Sequence, residues 1–420
     1  MSLGFFSKAE TQTIGGLPGR RGCGACGLWK DCKNKLGAAG EGQKGILIVG
    51  ESSSQQEDSR GEVSVSPGLR KHLRALGINV EKDCRRINAV ACRCPDDRDP
   101  ADNEIEACRD RVLQEIRENP PKLIILLGTA AIKSVIGNYW KKDLHGVERW
   151  RGWQIPDRNY KAWICPVFHP SYVDRMTGGN RPQNPVVEIV FCRDLEQAIA
   201  CLRKDRPEHP DEASQIEVLT ERAAVRVLDK VLNQFPPSLF SHDYEATGLK
   251  PHHPDHRVLC ASFCIEDNRA YSFLIPRHEC ELKRMWRRVM AEPRVYKSAH
   301  HMKFEDNWTN VYFGQEVNGW VWDSMLVAHQ LDNRPKIAGL KFQYYVHFGM
   351  CGYGDEIYEY MQSDDEDGGN GFNRMEELIK SNPKEVLIYC GIDSLAEHRL
   401  TIHQMQTMNH PVYWNLEIPF

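Results

Sequence analysis

Apolar runs that end in glycine punctuate the first half of the chain. KGILIVGES predicts a buried parallel strand followed by a loop, and PPKLIILLGTAAIKSVIG repeats the plan with a strand, a glycine turn and an amphipathic helix. KAWICPVFHPSY predicts a third strand, stopped at Pro170. Strand-loop-helix recurrence implies a parallel sheet covered by helices, with ligands held at the carboxyl ends of the strands. Glu51, Asn88 and His169 fall at such ends. Beyond Gln215 the pattern resumes: IEVLTERAAVRVLDKVLNQF predicts a short strand and a helix, SLFSHDYEATGL a strand, and HRVLCASFCIEDNRAYSFLIP a hairpin. The remainder is mostly helical apart from the acidic, glycine-rich SDDEDGGNGFN.

The stretch Arg203–Gln215, RKDRPEHPDEASQ, mixes charge and proline without periodicity and is expected to be a linker between domains 1–202 and 216–420. A chain of 420 residues supports two or three cores, so two α/β domains are the expectation. Hydrophobic residues make up 41% and charged residues 27%, and no apolar run approaches the roughly 18 residues of a membrane span, which excludes a membrane partner. MSLGFFSKAETQ has no apolar core of a signal peptide, so the expected location is the cytoplasm. The formal charge of −4 supplies no global attraction to nucleic acid, which leaves local basic surface to supply any.

Fifteen cysteines in a reducing compartment read as metal ligands or buried thiols before disulfides. Cys23 and Cys26 have CxxC spacing. Cys92 and Cys108 lie sixteen residues apart in NAVACRCPDDRDPADNEIEACRD, a stretch so rich in Asp, Arg and Pro that a buried strand is not expected there. These four thiolates can close a shell around a metal centre, with a zinc site or free thiols as the alternatives.

In order along residues 20–200, CxxC, the GE after the first strand, "ACRCP", "DRDP", "EIEACRD" and "FHPSY" resemble the iron–sulfur uracil-DNA glycosylases of the type-4 and type-5 kind. The resemblance implies a parallel-sheet glycosylase fold and a [4Fe–4S] cluster on Cys23, Cys26, Cys92 and Cys108, leaving Cys32 and Cys94 over. It implies that Asn88 reads uracil, that His169 stabilises charge on the departing base, and that Glu51 and Glu57 lie near the attacking water. The chain departs from that family twice. GESSSQQED stands where the family has GEAPG and an acidic pair, and EVSV where it has PFVG, so Val63 occupies the place of the base-stacking Phe. An aliphatic side chain there forgoes a stacking term of about 1–3 kcal/mol. Altered or lost base excision follows, with a non-catalytic DNA-docking module, an active glycosylase and an inactive scaffold as rivals.

In the second half, HDYEATGL sets Asp243 and Glu245 on one face of a strand, and YCGIDSLAEHRL sets Tyr389 and Asp393 on one face of a helix. With SAHHMKFEDNW between them, this set resembles the DEDDy 3′–5′ exonucleases of the DnaQ-like superfamily, specifically the proofreading domain of family-A DNA polymerases. The resemblance covers residues 216–410. It implies a ribonuclease-H-like fold with a mixed sheet, two Mg²⁺ or Mn²⁺ ions on Asp243, Glu245 and Asp393, and Tyr389 orienting the attacking water. Where the family has Asn-x-x-Phe-Asp, this chain has His301 leading to Glu305, with Asp306 the second candidate. Asp323 is read as fixing local structure. The partners implied are single-stranded DNA 3′ ends and a family-A polymerase domain or subunit, since HPVYWNLEIPF resembles the exit from such an exonuclease domain. A piece of a longer phage replication enzyme, or one half of a split polymerase, is the expectation; the host cytoplasm is then the location. The alternative is that Trp414, Leu416, Ile418 and Phe420 pack back on their own domain.

Overall fold

The computed structural model describes residues 23–140, 144–178, 184–233, 238–363 and 371–410. The chain divides into two compact units, Met1–Pro207 and Glu208–Phe420. The terminal segment from Pro411, including Trp414, Leu416, Ile418 and Phe420, lies outside the described residues, as does most of SDDEDGGNGFN. Among the described residues no helix is long and apolar enough to cross a membrane.

The first unit is built on a five-stranded sheet of β1 (Ile46–Ser52), β2 (Cys84–Val90), β3 (Leu123–Leu127), β4 (Ile155–Asp157) and β5 (Ala162–Val167), in the order β2-β1-β3-β5-β4. Only β4 runs antiparallel to its neighbour. The central strands are apolar on both sides, as parallel strands buried under two helical layers must be: all five residues of β3, LIILL, are buried. Leu69, Leu73, Phe191 and Leu195 close one face over Ile46, Ile48, Leu123 and Ile125. The strand that carries Asn88 toward its carboxyl end is β2, which no apolar run announces. Its last residues, Asn88, Ala89 and Val90, are buried, so the stretch that starts at Asn88 opens as strand before it becomes loop. Arg86 and Asn88 break the apolar signature, and both are nevertheless buried.

In the second unit six strands run β6 (Ile216–Val218), β7 (Leu239–Ala246), β8 (Val258–Glu266), β9 (Arg269–Leu274), β10 (Tyr296–Ala299) and β11 (Trp320–Asp323), ordered β11-β10-β7-β8-β9-β6. The β7-β8-β9 meander is antiparallel, whereas β6, β10 and β11 pair in parallel, so the sheet is mixed. On one face Trp286 anchors an aromatic core with Phe240, Phe263 and Phe273 and donates its indole N–H to the Tyr244 hydroxyl at 2.6 Å. On the other lies the 25-residue helix Pro383–Thr407, packed across β7, β8 and β9. The same helix also packs on β6, where Gly391 permits the close approach: a Cβ there would collide with Ile216.

Candidate functional sites

In the N-terminal unit the parallel register sets Gly50 of β1 beside Asn88 of β2. A Cβ at Gly50 would strike Asn88 Oδ1, so the glycine gives the amide its space. Asn88 is buried, and its Nδ2 has no hydrogen-bond partner among the described residues, a donor held ready for an acceptor that the chain does not provide. Gly128, at φ +80°, starts the helix Gly128–Val135 where Glu51 and His169 meet, and a Cβ there would run into both. Glu51 accepts from the backbone N–H groups of Thr129 and Ala130. Burial, reinforced by Asp99, pushes its carboxyl up to about 6. His169 is the N-cap of the helix Pro170–Thr177: Nδ1 accepts from the Ser171 N–H at 3.3 Å and lies 2.7 Å from its hydroxyl. Burial, then Arg175, hold it down to about 4, so the ring is neutral at neutral pH with its proton on Nε2. Asp99, in "DRDP", and Arg175 act on both groups.

Glu57 belongs elsewhere. Its carboxylate accepts from the Ser54 N–H at 2.9 Å and the Ser64 N–H at 2.6 Å, a capping box that clamps the loop after the helix Gln55–Arg60. Its oxygens are engaged by these backbone N–H groups. Val63 in that loop is 2% exposed.

The thiols of Cys23, Cys26, Cys92 and Cys108 interact electrostatically as one group, and all are free. Cys32, left over in the sequence reading, lies against Cys92, whose thiol burial pushes up. Lys35 sits beside Cys23, and Arg111, one turn beyond Cys108 in the helix Asp102–Glu118, pairs with it. Convergent thiols flanked by cations suit an anionic thiolate cluster. Arg111 also donates to the backbone carbonyls of Leu36, at 3.2 Å, and Asn88. Asp58 staples the cysteine loop by accepting from the Lys33 and Asn34 N–H groups at 3.2 and 2.8 Å.

In the C-terminal unit, Asp243 and Glu245 of β7, Glu305 of the helix Met302–Tyr312 and Asp393 of the helix Pro383–Thr407 interact as one cluster. Burial first, then the other acids, raises Asp243. Burial and Asp393 push Glu245 up to about 8. Lys341, then the Tyr353 and Tyr389 phenols, favour ionisation of Asp393, and the Lys341 ammonium, which also favours ionisation of Glu245, lies 4.9 and 5.1 Å from the Tyr389 and Tyr353 ring centroids; the Tyr353 hydroxyl is buried without a hydrogen-bond partner among the described residues. Glu305 Oε2 and Asp393 Oδ1 are buried without hydrogen-bond partners among the described residues. Buried acids in such number, with oxygens left bare, fit divalent cations.

Asp306 points away. Its oxygens accept from Trp320 Nε1 at 2.9 Å and Asn310 Nδ2 at 3.0 Å. Asp323 caps the helix Ser324–Leu331 through the Met325 and Leu326 N–H groups. Lys341, Tyr353 and Cys390 escaped the sequence reading; only Cys390, beside Tyr389, carried any local hint. Among the described residues, one metal-ligand grouping of His, Cys, Asp and Glu is tight: Asp243, Glu245 and Cys390, with ligand atoms within 4.8 Å of one another.

The profile of the Uracil DNA glycosylase superfamily matches residues 38–192. The type-4 uracil-DNA glycosylase of Thermotoga maritima is 32% identical over 186 residues, 44% of this chain and 91% of that protein. A DNA polymerase of Bacillus phage SP01 is 22% identical over 352 residues, 76% of this chain but 36% of the polymerase. The structure of RNase D from Escherichia coli, an exoribonuclease, aligns with 47% of this chain and 47% of its own at 12% identity and a TM-score of 0.33. With Asn88, Glu51 and His169 gathered at the strand ends of its first unit, and a relative of this identity matched over nearly its whole length, the chain belongs to the uracil-DNA glycosylase superfamily.

Proposed function

We propose that the C-terminal unit is a metal-dependent 3′–5′ DNA exonuclease of the proofreading type. The N-terminal unit, in this reading, is a [4Fe–4S] glycosylase-like unit of altered or lost base excision, and the whole works with a family-A polymerase domain or subunit of phage origin. The observation that carries the nuclease reading is the convergence of Asp243, Glu245, Glu305 and Asp393 with Tyr389 in one buried cluster. Divalent cations, when bound there, supply an activated water and charge at the leaving oxygen. The chain's own part is to hold the reacting groups in place. The four carboxylates fix the cation positions, the Tyr389 hydroxyl orients water, and Lys341 offsets negative charge beside Glu245 and Asp393. Resemblance to a phage polymerase along much of this chain supports the replicative setting.

On the glycosylase side, Asn88 Nδ2 is free to donate to a base carbonyl, and the neutral His169 to donate from Nε2 to a departing base. Val63 removes the stacking wall.

Incubation of 3′-labelled single strands, with and without deoxyuridine, in Mg²⁺ or EDTA separates the two activities. Shortening from the 3′ end is expected in Mg²⁺ only. Asp243→Ala abolishes it, and Tyr389→Phe slows it about 10²-fold while metal binding persists. Full activity in the Asp243 variant moves the site elsewhere.

Anaerobically purified protein is expected to be brown, with broad visible absorbance that Cys92→Ala removes. Stoichiometric zinc without iron assigns the thiols to zinc instead.

Release of ordinary uracil is expected to be small, and Val63→Phe to raise it tenfold or more, in line with about 1–3 kcal/mol of stacking. Abasic-site formation at full rate by the unaltered chain would show that residue 63 does not limit excision.

Glu51 also gives the N-terminal unit a pH signature. Its folded value of about 6 exceeds the ordinary 4.5, so the fold prefers the protonated acid. Stability from this group is complete below pH 4.5 and lost as pH rises through 6. Glu51→Gln should therefore stabilise the unit by about 1–2 kcal/mol at pH 8 and not at pH 4, read by thermal unfolding. A variant-to-wild-type difference that ignores pH overturns this.

A further inference from the structure

We infer that Cys390 turns one cation position of the carboxylate cluster into a high-affinity site for borderline and soft divalent metals such as zinc, cobalt and cadmium, which block the Mg²⁺-dependent reaction. The inference rests on the exonuclease reading of the same acids and adds a ligand to it.

Cys390 follows Tyr389 on the helix Pro383–Thr407, and its side chain is fully buried. Its Sγ lies 3.8 Å from Asp243 Oδ2. Ligand atoms of Asp243, Glu245 and Cys390 fall within 4.8 Å of one another. A tetrahedral zinc ion, with bonds of about 2.3 Å to sulfur and 2.0–2.2 Å to oxygen, holds such ligand atoms about 3.6 Å apart. The sulfur-to-carboxylate spacing therefore needs little adjustment to close on a metal. A second observation points to a ligand at the same place: Asp393 Oδ1 and Glu305 Oε2 are buried and have no partner among the described residues. The thiol is also close enough to donate weakly to the Asp243 carbonyl, at 3.8 Å, and contacts the Cys260 thiol, which is what a small packing residue would do.

Metal chemistry separates the two roles. Mg²⁺ demands oxygen ligands in near-octahedral geometry at 2.0–2.1 Å and leaves a thiol protonated and unbound. Zinc, cobalt and cadmium accept thiolate readily. As the sulfur–metal bond forms, the thiol proton passes to solvent and the metal keeps its oxidation state, so no redox partner is required. The same acids thus serve a hard cation through oxygen alone and a softer one through oxygen plus sulfur, with very different affinities.

The test uses the full chain with its iron–sulfur centre loaded, so that the cluster thiols are occupied, and freed of other divalent metals under anaerobic conditions. Titration with Co²⁺ should give visible ligand-field bands and, in the near ultraviolet, a thiolate-to-cobalt charge-transfer band. In Cys390→Ser, and in Cys390→Ala as a smaller replacement, the charge-transfer band should be absent from the difference spectrum while the ligand-field bands remain. Zinc should inhibit Mg²⁺-dependent cleavage at a concentration at least tenfold lower in the wild type than in Cys390→Ser. Cobalt bound with no Cys390-dependent charge-transfer band, or equal zinc sensitivity, overturns this inference and leaves the exonuclease reading standing. Failure of both cobalt binding and Mg²⁺-dependent cleavage in the wild type overturns that reading, and the inference with it.

Discussion

Four neighbouring carboxylates, Glu245, Glu305 and Asp393 buried and Asp243 half-buried, resist ionising, and the second unit is arranged around that constraint. Burial raises each of Asp243, Glu245, Glu305 and Asp393; the other three acids raise Asp243 further, Asp393 does so for Glu245, and Glu397, Asp323 and Glu245 do so for Glu305. Like charges held this close are tolerated because the surrounding fold determines their positions. Two acids ride on the same face of β7. Two more come from helices, one of which spans three strands and is seated by a glycine. Local relief comes from one ammonium, Lys341, for Glu245 and Asp393, from two phenols, Tyr353 and Tyr389, for Asp393, and from a backbone N–H for Glu305. In the proposed exonuclease reading divalent cations would supply the rest, and a cluster that binds cations only when folded would tie stability to their concentration. Glu397, which raises Glu305, is itself pushed up to about 8 by burial, and its carboxyl accepts from the Ser324 and Thr401 hydroxyls.

The first unit solves a milder version of the same problem by using single groups and backbone dipoles. Glu51 rests on the N–H groups that open the helix Gly128–Val135, and His169 stays neutral as the cap of another helix. Arg111 binds this pocket to the cysteines: its guanidinium pairs with Cys108 and donates to the carbonyl of Asn88. A change at the thiol group therefore reaches the backbone of the residue proposed to read the base, through one buried side chain.

Much of this was legible in the sequence because period and spacing carry it. The apolar runs gave the parallel strands, the DxE pair and the i, i+4 pair put their acids on single faces, and helix phase separates Glu305 from Asp306. What escaped depends on contacts between segments distant in sequence. Strand β2 hides because Arg86 and Asn88 interrupt its apolar pattern, although Arg86 is paired with Glu62 and Glu81 and Asn88 is buried with an unpartnered Nδ2 among the described residues. The Ser64 N–H that Glu57 accepts comes from seven residues further on and is not visible in the local pattern. Cys32 has no spacing that links it to Cys92, and Lys341 and Tyr353 come from a region without a motif.

The serines that replace the glycosylase pattern after Glu51 show what kind of departure this is. A chain that had merely lost a glycine would strain at a left-handed position or leave its loop without partners. Ser54 instead sits at φ −75°, accepts from the Glu57 N–H and helps build a capping box, while Ser53 donates its hydroxyl to the carbonyl of Ala91 at 3.1 Å. Ala91 immediately precedes Cys92, so the altered loop is tied to the segment that carries one of the cysteines. Capping of this kind is worth about 1 kcal/mol, enough to hold a six-residue helix that would not persist alone. The loop's serines therefore carry internal hydrogen bonds, and the folded unit is supported at the segment that follows Glu51.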